Sequence, residues 1–119
     1  MNKVKLDMNM FTMEFGKIDA SMGEHFNKVY KEYNELNNAF DEYDYDTAEG
    51  GVHPEEEEED REKLCSEALD MVQASLSFIS HLIEEDILTN EDIEKWKEKL
   101  ENRKKKYLKK GELDERNKV

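Results

Sequence analysis

The sequence is poor in cysteine and proline and has no long apolar run, and each shortage excludes a class of protein. Cys65 is the only cysteine among 119 residues, which excludes an intramolecular disulfide and a cysteine-based zinc site. A single proline leaves little to interrupt helices. No stretch approaches the roughly 20 apolar residues that cross a bilayer, and the first residues lack a secretory pattern. We therefore expect a cytoplasmic protein with no membrane partner.

Positive charge is also scarce, and the acidic excess limits what the chain can bind. The sequence has 18 Lys and Arg residues against 31 Asp and Glu residues, a net charge of −13. Such a charge repels nucleic-acid phosphates, so we expect no nucleic-acid partner. An acidic protein that acts on a phosphorylated substrate needs metal ions to bridge the like charges.

Helical patterns occupy most of the chain. From Met22 to Phe40, apolar residues recur at gaps of four and three, which predicts one face of an amphipathic helix. A mostly apolar second helix is predicted over about residues 61–84, as the most buried element. A third is predicted after Thr89, a good N-cap, running through Tyr107 with Gly111 as the residue that follows its end.

The segments outside these helices have weaker patterns. Residues 4–10 alternate as in a strand and residues 11–18 have helical spacing, so this segment stays undecided, with helix preferred in its later part. The Gly-containing acidic stretch at about 41–60 is predicted to be a loop, although its last acids, 55–60, can instead begin the second helix. The polar tail at about 112–119 is expected to fray. The chain is thus predicted to be one all-α domain.

Two pairs of acidic residues carry the functional prediction. Glu32 and Glu35 lie in the first long helix, and Glu67 and Asp70 lie in the central one, each pair spaced i, i+3. That spacing puts both side chains on one helix surface, so two facing helices can surround Mg²⁺ with four carboxylates. In so acidic a chain such pairs also arise by chance on solvated faces. Asp70 is the most informative, because an unpaired carboxylate buried among its apolar neighbours would cost several kcal/mol.

The helical angles of the first pair differ. Glu32 borders the predicted apolar face of its helix, whereas Glu35 turns further round. Glu35 therefore needs a second neighbour, such as another subunit, to be enclosed.

The two pairs together resemble a known signature. Glu32-x-x-Glu35 followed by Glu67-x-x-Asp70 resembles the E-x-x-E…E-x-x-D motif of MazG-like nucleoside triphosphate pyrophosphohydrolases and their all-α relatives that act on dUTP. Leu36 after the second acid, and the D-M-V-Q-A sequence that starts at Asp70, are similar to the family's contexts. The interval between the pairs is longer than is usual in the family, and the acidic loop accounts for the excess.

The resemblance implies a fold, a reaction and the residues that perform it. The fold would be a MazG-like helical bundle completed by oligomerisation, as a homodimer or homotetramer. The reaction would be hydrolysis of a nucleoside triphosphate, deoxynucleotides included, to monophosphate and pyrophosphate. Mg²⁺, or Mn²⁺, would be held by the four acids, with Glu32 or Glu35 as the base that activates water. A basic segment similar to the family's phosphate- or base-contacting segment supplies Lys99, Asn102, Arg103 and Lys106.

Two alternatives stay open. A protein with this fold can bind and sequester a nucleotide without hydrolysing it, since both functions use the same carboxylates. The net charge also fits an acidic helical interaction protein that presents a phosphate-like surface. His25, His53 and His81 lack metal-ligand spacing, and no catalytic role is assigned to them.

Overall fold

The structure, a computed structural model, describes residues 4–48 and 54–116. This part of the chain is helical and contains no strand, which confirms the predicted all-α class. Its helices are α1 (Met22–Ala48), α2 (Pro54–Glu84) and α3 (Asn90–Arg116), preceded by two short 3-10 turns at Met8–Met10 and Glu14–Lys17. None of the described helices has the length and apolar character needed to cross a membrane.

The chain forms two compact units that divide after Glu85. The first contains α1 and α2, which pack along each other as an antiparallel hairpin, with the Glu14–Lys17 turn against α2. The second contains α3. The single-domain assignment stays a prediction.

Both hairpin helices extend into the predicted acidic loop. That prediction is wrong for the described part of residues 41–60, because α1 continues to Ala48 and α2 begins at Pro54. Proline suits the first position of a helix, and the acidic residues of the first turn interact favourably with the helix dipole. The alternative, in which residues 55–60 begin the second helix, is confirmed. Gly50 and Gly51 lie outside the described residues.

The third helix begins where the sequence predicts and ends later. The Asp92 backbone N–H donates to Thr89 Oγ1 at 3.4 Å, and Asp92 Oδ2 accepts from the Thr89 N–H at 2.9 Å, which confirms Thr89 as the N-cap. The predicted end at Gly111 is wrong, because α3 continues to Arg116. The surrounding Lys, Leu and Glu residues are good helix formers that offset the cost of about 1 kcal/mol for one glycine. Residues 117–119 of the predicted tail lie outside the described residues.

The face of α1 that packs against α2 is not the predicted one. His25, Glu32 and Ala39 are buried, with Val29 and Leu36 half-buried between them. The other members of the predicted face, Met22, Phe26, Tyr33 and Phe40, are 43–58% exposed. Both faces have the same alternation of gaps and share Val29 and Leu36. The hydrophobic pattern did not identify the buried face, because two of its buried residues, His25 and Glu32, are polar.

Residues 11–20, here called the strap, cross α2 without forming a strand or an α-helix. The Gln73 side chain holds both polar backbone groups of Thr12: its Oε1 accepts from the N–H at 2.9 Å and its Nε2 donates to the carbonyl at 2.7 Å. The Ser80 hydroxyl donates to the Met13 carbonyl at 2.7 Å. Gly16 is buried against α2. The contact requires glycine, because a Cβ at this position would overlap Ser80.

Candidate metal centre

Three of the four predicted acids meet in the middle of the hairpin. Glu32 and Glu35 project from α1 toward Glu67 on α2, and one oxygen of each lies within 4.8 Å of the other two. The i, i+3 spacing puts the first two on one surface, and the antiparallel packing of α2 brings the third opposite them. These three side chains, called the acid group below, can share one hard cation through oxygen ligands.

Asp70 lies beside the acid group rather than in it. Its side chain is exposed, so the expectation that apolar neighbours enclose it is wrong. The physical reason is that this side of α2 borders an open groove, which leaves the carboxylate accessible to solvent. Asp70 still acts on the group electrostatically, because its charge helps to raise the pKa of Glu67.

Glu32, and not Asp70, is the buried carboxylate of the predicted set. It is 5% exposed, and its Oε1 accepts a hydrogen bond from Lys28 Nζ at 2.8 Å. This bond is the main reason that the pKa of Lys28 is raised. The second oxygen, Oε2, is buried and has no hydrogen-bond partner. Lys28 therefore satisfies only half of this carboxylate.

Within the acid group, Glu67 is the carboxyl whose pKa is raised. Burial raises its pKa, and the negative charges of the other three acids raise it further. Its Oε2 is buried and has no hydrogen-bond partner. Oxygen donors that repel one another and lack partners fit a divalent cation such as Mg²⁺ or Mn²⁺.

A groove of about 520 Å³ runs along the hairpin beside the acid group. It lies between the strap and both helices, and its lining is Phe15, Ile18, Ala20, Glu24, His25, Lys28, Glu32, Asp70, Gln73, Ala74 and Ser77. Glu32 belongs both to the groove and to the acid group. The two features are therefore continuous.

Two histidines that the sequence analysis left without a role lie together in the hairpin. The rings of His25 and His81 have centroids 4.7 Å apart and are tilted by 35°. Each residue is 8% exposed, and His25 Nε2 is buried without a hydrogen-bond partner. No spacing rule could have found this pair, because it depends on the register between α1 and α2. His53 lies outside the described residues.

The predicted substrate-contacting residues form one face of α3. Lys99, Asn102, Arg103 and Lys106 are exposed, and together with Lys95 and Glu98 they line a shallow depression of about 410 Å³. Their spacing keeps them on one side of the helix. The second unit therefore presents a mainly cationic face.

Comparison with models of protein families, with curated proteins and with solved structures found no significant match. Membership of the MazG-like family therefore stays a prediction that rests on the two acidic pairs. The geometry of the hairpin is the independent observation from which function is argued.

Proposed function

We propose that this protein is a MazG-like pyrophosphohydrolase that hydrolyses a nucleoside triphosphate to the monophosphate and pyrophosphate, with Mg²⁺ or Mn²⁺ as cofactor. The observation that carries the proposal is the acid group, in which two carboxylates have a buried oxygen without a hydrogen-bond partner. Leaving such an atom unsatisfied costs about 1–3 kcal/mol, and more when the group is charged. A bound divalent cation would offset that cost by coordinating these oxygens.

The residues of the hairpin divide the work of the reaction. Glu32, Glu35 and Glu67 hold the metal, with Asp70 adding negative charge beside them. When bound there, a divalent metal would offset the charge of the triphosphate and lower the pKa of the attacking water. Glu35 accepts the proton of that water, because Glu32 is already ion-paired with Lys28. This choice sharpens the prediction that left both α1 glutamates as candidates.

The protein also supplies positive charge for the phosphates. Lys28 lines the groove next to Glu32. In the second unit, the cationic face of α3 offers Arg103, whose planar fork suits a phosphate, together with Lys99, Asn102 and Lys106. We include these four residues in the proposal as contacts to the substrate.

The proposal includes association of copies into a homodimer or homotetramer. In the described part of the chain, the buried apolar residues are Ala39 and Ala74, which is a small core. Large apolar side chains are exposed on both units, including Phe26, Tyr30, Tyr33 and Phe40 on α1 and Trp96 and Leu100 on α3. The four α1 side chains share one helix face by their spacing. An exposed apolar face of this kind marks an interaction site, and a second copy is the partner that an oligomeric enzyme provides.

The test is to incubate the purified protein with ribo- and deoxyribonucleoside triphosphates and Mg²⁺ and to separate the products by chromatography. We expect monophosphate and pyrophosphate in equal amounts, and no reaction in EDTA. Glu67→Gln should lower the rate by about 10²-fold or more, which corresponds to roughly 2.7 kcal/mol of transition-state stabilisation.

The matched control is Glu62→Gln, which removes an exposed acid of the same helix outside the acid group and should leave the rate unchanged. Diphosphate and orthophosphate as products would place the cleaved bond elsewhere. If the wild-type protein hydrolyses none of the triphosphates, the proposal is wrong.

A further inference from the structure

The groove has the size and two-part lining of a small-molecule site. Its volume of about 520 Å³ lies within the range of roughly 300–1,000 Å³ that is usual for ligand pockets. One part is apolar, with Phe15 and Ile18 of the strap and Ala74 of α2. The other part is charged, with Lys28 and Glu32.

The apolar wall is held in place before any ligand arrives. Gln73 fixes Thr12 through two hydrogen bonds, and Ser80 fixes Met13 through a third. The close packing of Gly16 on α2 adds a contact that no other residue type allows. A wall positioned in this way loses little conformational entropy when a ligand binds.

His25 lines this groove and carries a buried polar atom without a partner. The residue is more than nine-tenths buried, and its Nε2 has no hydrogen-bond partner. An imidazole nitrogen that has lost water without gaining a partner destabilises the free protein, and a ligand that supplies the missing group removes that loss. Within the described residues, no third metal-binding side chain joins His25 and His81, so a metal is not the partner that this geometry favours.

We propose that the groove takes the base of the nucleotide and that the His25 ring, whose Nε2 is closed to solvent, turns to hydrogen-bond to the edge of that base. The choice of ligand rests on the proposed function. Glu32 and Asp70 line the groove next to the metal ligands, so a nucleotide with its phosphates at the acid group can extend its base toward the strap. Phe15 and Ile18 then contact the planar ring. His25 is a specificity-determining residue and takes no part in the chemical step.

The hydrogen bond is tested with His25→Phe, which keeps a ring against His81 and removes the nitrogen, and with His25→Gln, which keeps a polar group. We measure kcat and KM for triphosphates that carry each base. For the preferred base, His25→Phe should lower kcat/KM by about 10- to 100-fold, mainly through KM, and by less for the other bases. His25→Gln should restore part of the preference. The control is His81→Phe, because His81 belongs to the same ring pair but does not line the groove. This variant should keep the base preference of the wild type.

Binding of nucleoside monophosphates, which need not be hydrolysed, separates this inference from the reaction. Calorimetry with a monophosphate of each base, in Mg²⁺, should show a base preference in the wild type that His25→Phe removes. If triphosphates are hydrolysed but His25→Phe weakens all bases equally, the groove assignment is wrong and the enzyme assignment stands. If no triphosphate is hydrolysed but the His25-dependent preference in binding is seen, the enzyme assignment is wrong and the groove assignment stands. Absence of any base preference in both assays overturns the groove assignment.

Discussion

The α1–α2 hairpin carries acidic side chains at two places, and their surroundings differ. In the middle, the acid group places three carboxylates around one point, beside a lysine and a groove. Nearer the connection between the helices, Asp46 and Asp60 are half-buried, and the pKa of Asp60 is raised, mainly by its hydrogen bond with the Asp46 side chain. The shallow depression around this second pair has a volume of about 370 Å³ and is lined by acids and Tyr45.

The difference shows what makes an acidic cluster a candidate site. Both places hold a buried carboxylate oxygen without a hydrogen-bond partner, Asp60 Oδ2 in the second pair and Glu32 Oε2 and Glu67 Oε2 in the acid group. One proton can relieve the repulsion between two carboxylates but not among three, so repulsion remains in the acid group even with Lys28 in place. Within the described chain, only the middle group has the number and spacing of oxygens for a metal ion.

The largest expected effect comes from removing the buried metal ligand. Glu32→Gln should lower kcat/KM by about 10²- to 10³-fold, because it deletes a ligand charge. Asp60→Asn makes the same kind of change at the other acidic place and should alter kcat/KM by less than about twofold, since surface charge changes act weakly. Steady-state kinetics of both variants check the comparison, and equal losses would remove the distinction between the two places.

A second expected effect is stabilisation by metal. At a free Mg²⁺ concentration about 100 times Kd, binding adds about 2.7 kcal/mol to the free energy of unfolding and raises Tm by roughly 10 °C. Glu67→Gln should abolish this shift and Asp60→Asn should keep it. Thermal denaturation followed by circular dichroism, with and without Mg²⁺, measures both. A shift that survives in Glu67→Gln would move the metal away from the acid group.

A smaller effect is expected on stability without metal. The folded protein holds the proton of Glu67 more tightly than the unfolded chain does. The free energy of unfolding therefore falls as pH rises from the ordinary pKa of 4.5 through the raised pKa, and it stays lower above it. In EDTA at pH 7, Glu67→Gln should raise Tm, because it removes the repelled charge. Tm profiles against pH should show a shallower fall in this variant, and an unchanged profile would mean that Glu67 is not strained.

The smallest effect concerns the cationic face of α3. Arg103→Ala should raise KM for the triphosphate by about threefold with kcat unchanged, because an exposed phosphate contact contributes about 0.5–1 kcal/mol. Lys104→Ala, an exposed cation next to Arg103 that does not line the depression, is the control and should leave KM unchanged. A loss in kcat instead would give Arg103 a role at the reacting phosphate.

Local rules predicted those parts of the molecule that depend on local sequence. The i, i+3 spacing correctly placed Glu32 and Glu35 on one helix surface, whereas Asp70, which the same spacing pairs with Glu67, lies outside the acid group. Thr89 was also found as a cap from the local sequence. The prediction for Gly111 failed because a single residue's preference was outweighed by its neighbours.

What the sequence could not supply depends on packing between distant segments. The rotation of α1 was ambiguous, because two faces with equal spacing share Val29 and Leu36. The exchange of burial between Glu32 and Asp70 follows from that rotation and from the groove beside α2. The His25 and His81 pair and the position of the strap require the register of the hairpin, which no motif records.

Gly16 gives the position of the strap an unusual dependence on one residue. A Cβ there would also come within 2.6 Å of the Ser77 carbonyl oxygen, so any larger residue must lift the strap from α2. Such a change would move Phe15 and Ile18 while leaving every carboxylate in place. A substitution at Gly16, which does not line the groove, can therefore change which ligands the groove accepts. The carboxylates of the acid group would keep their positions.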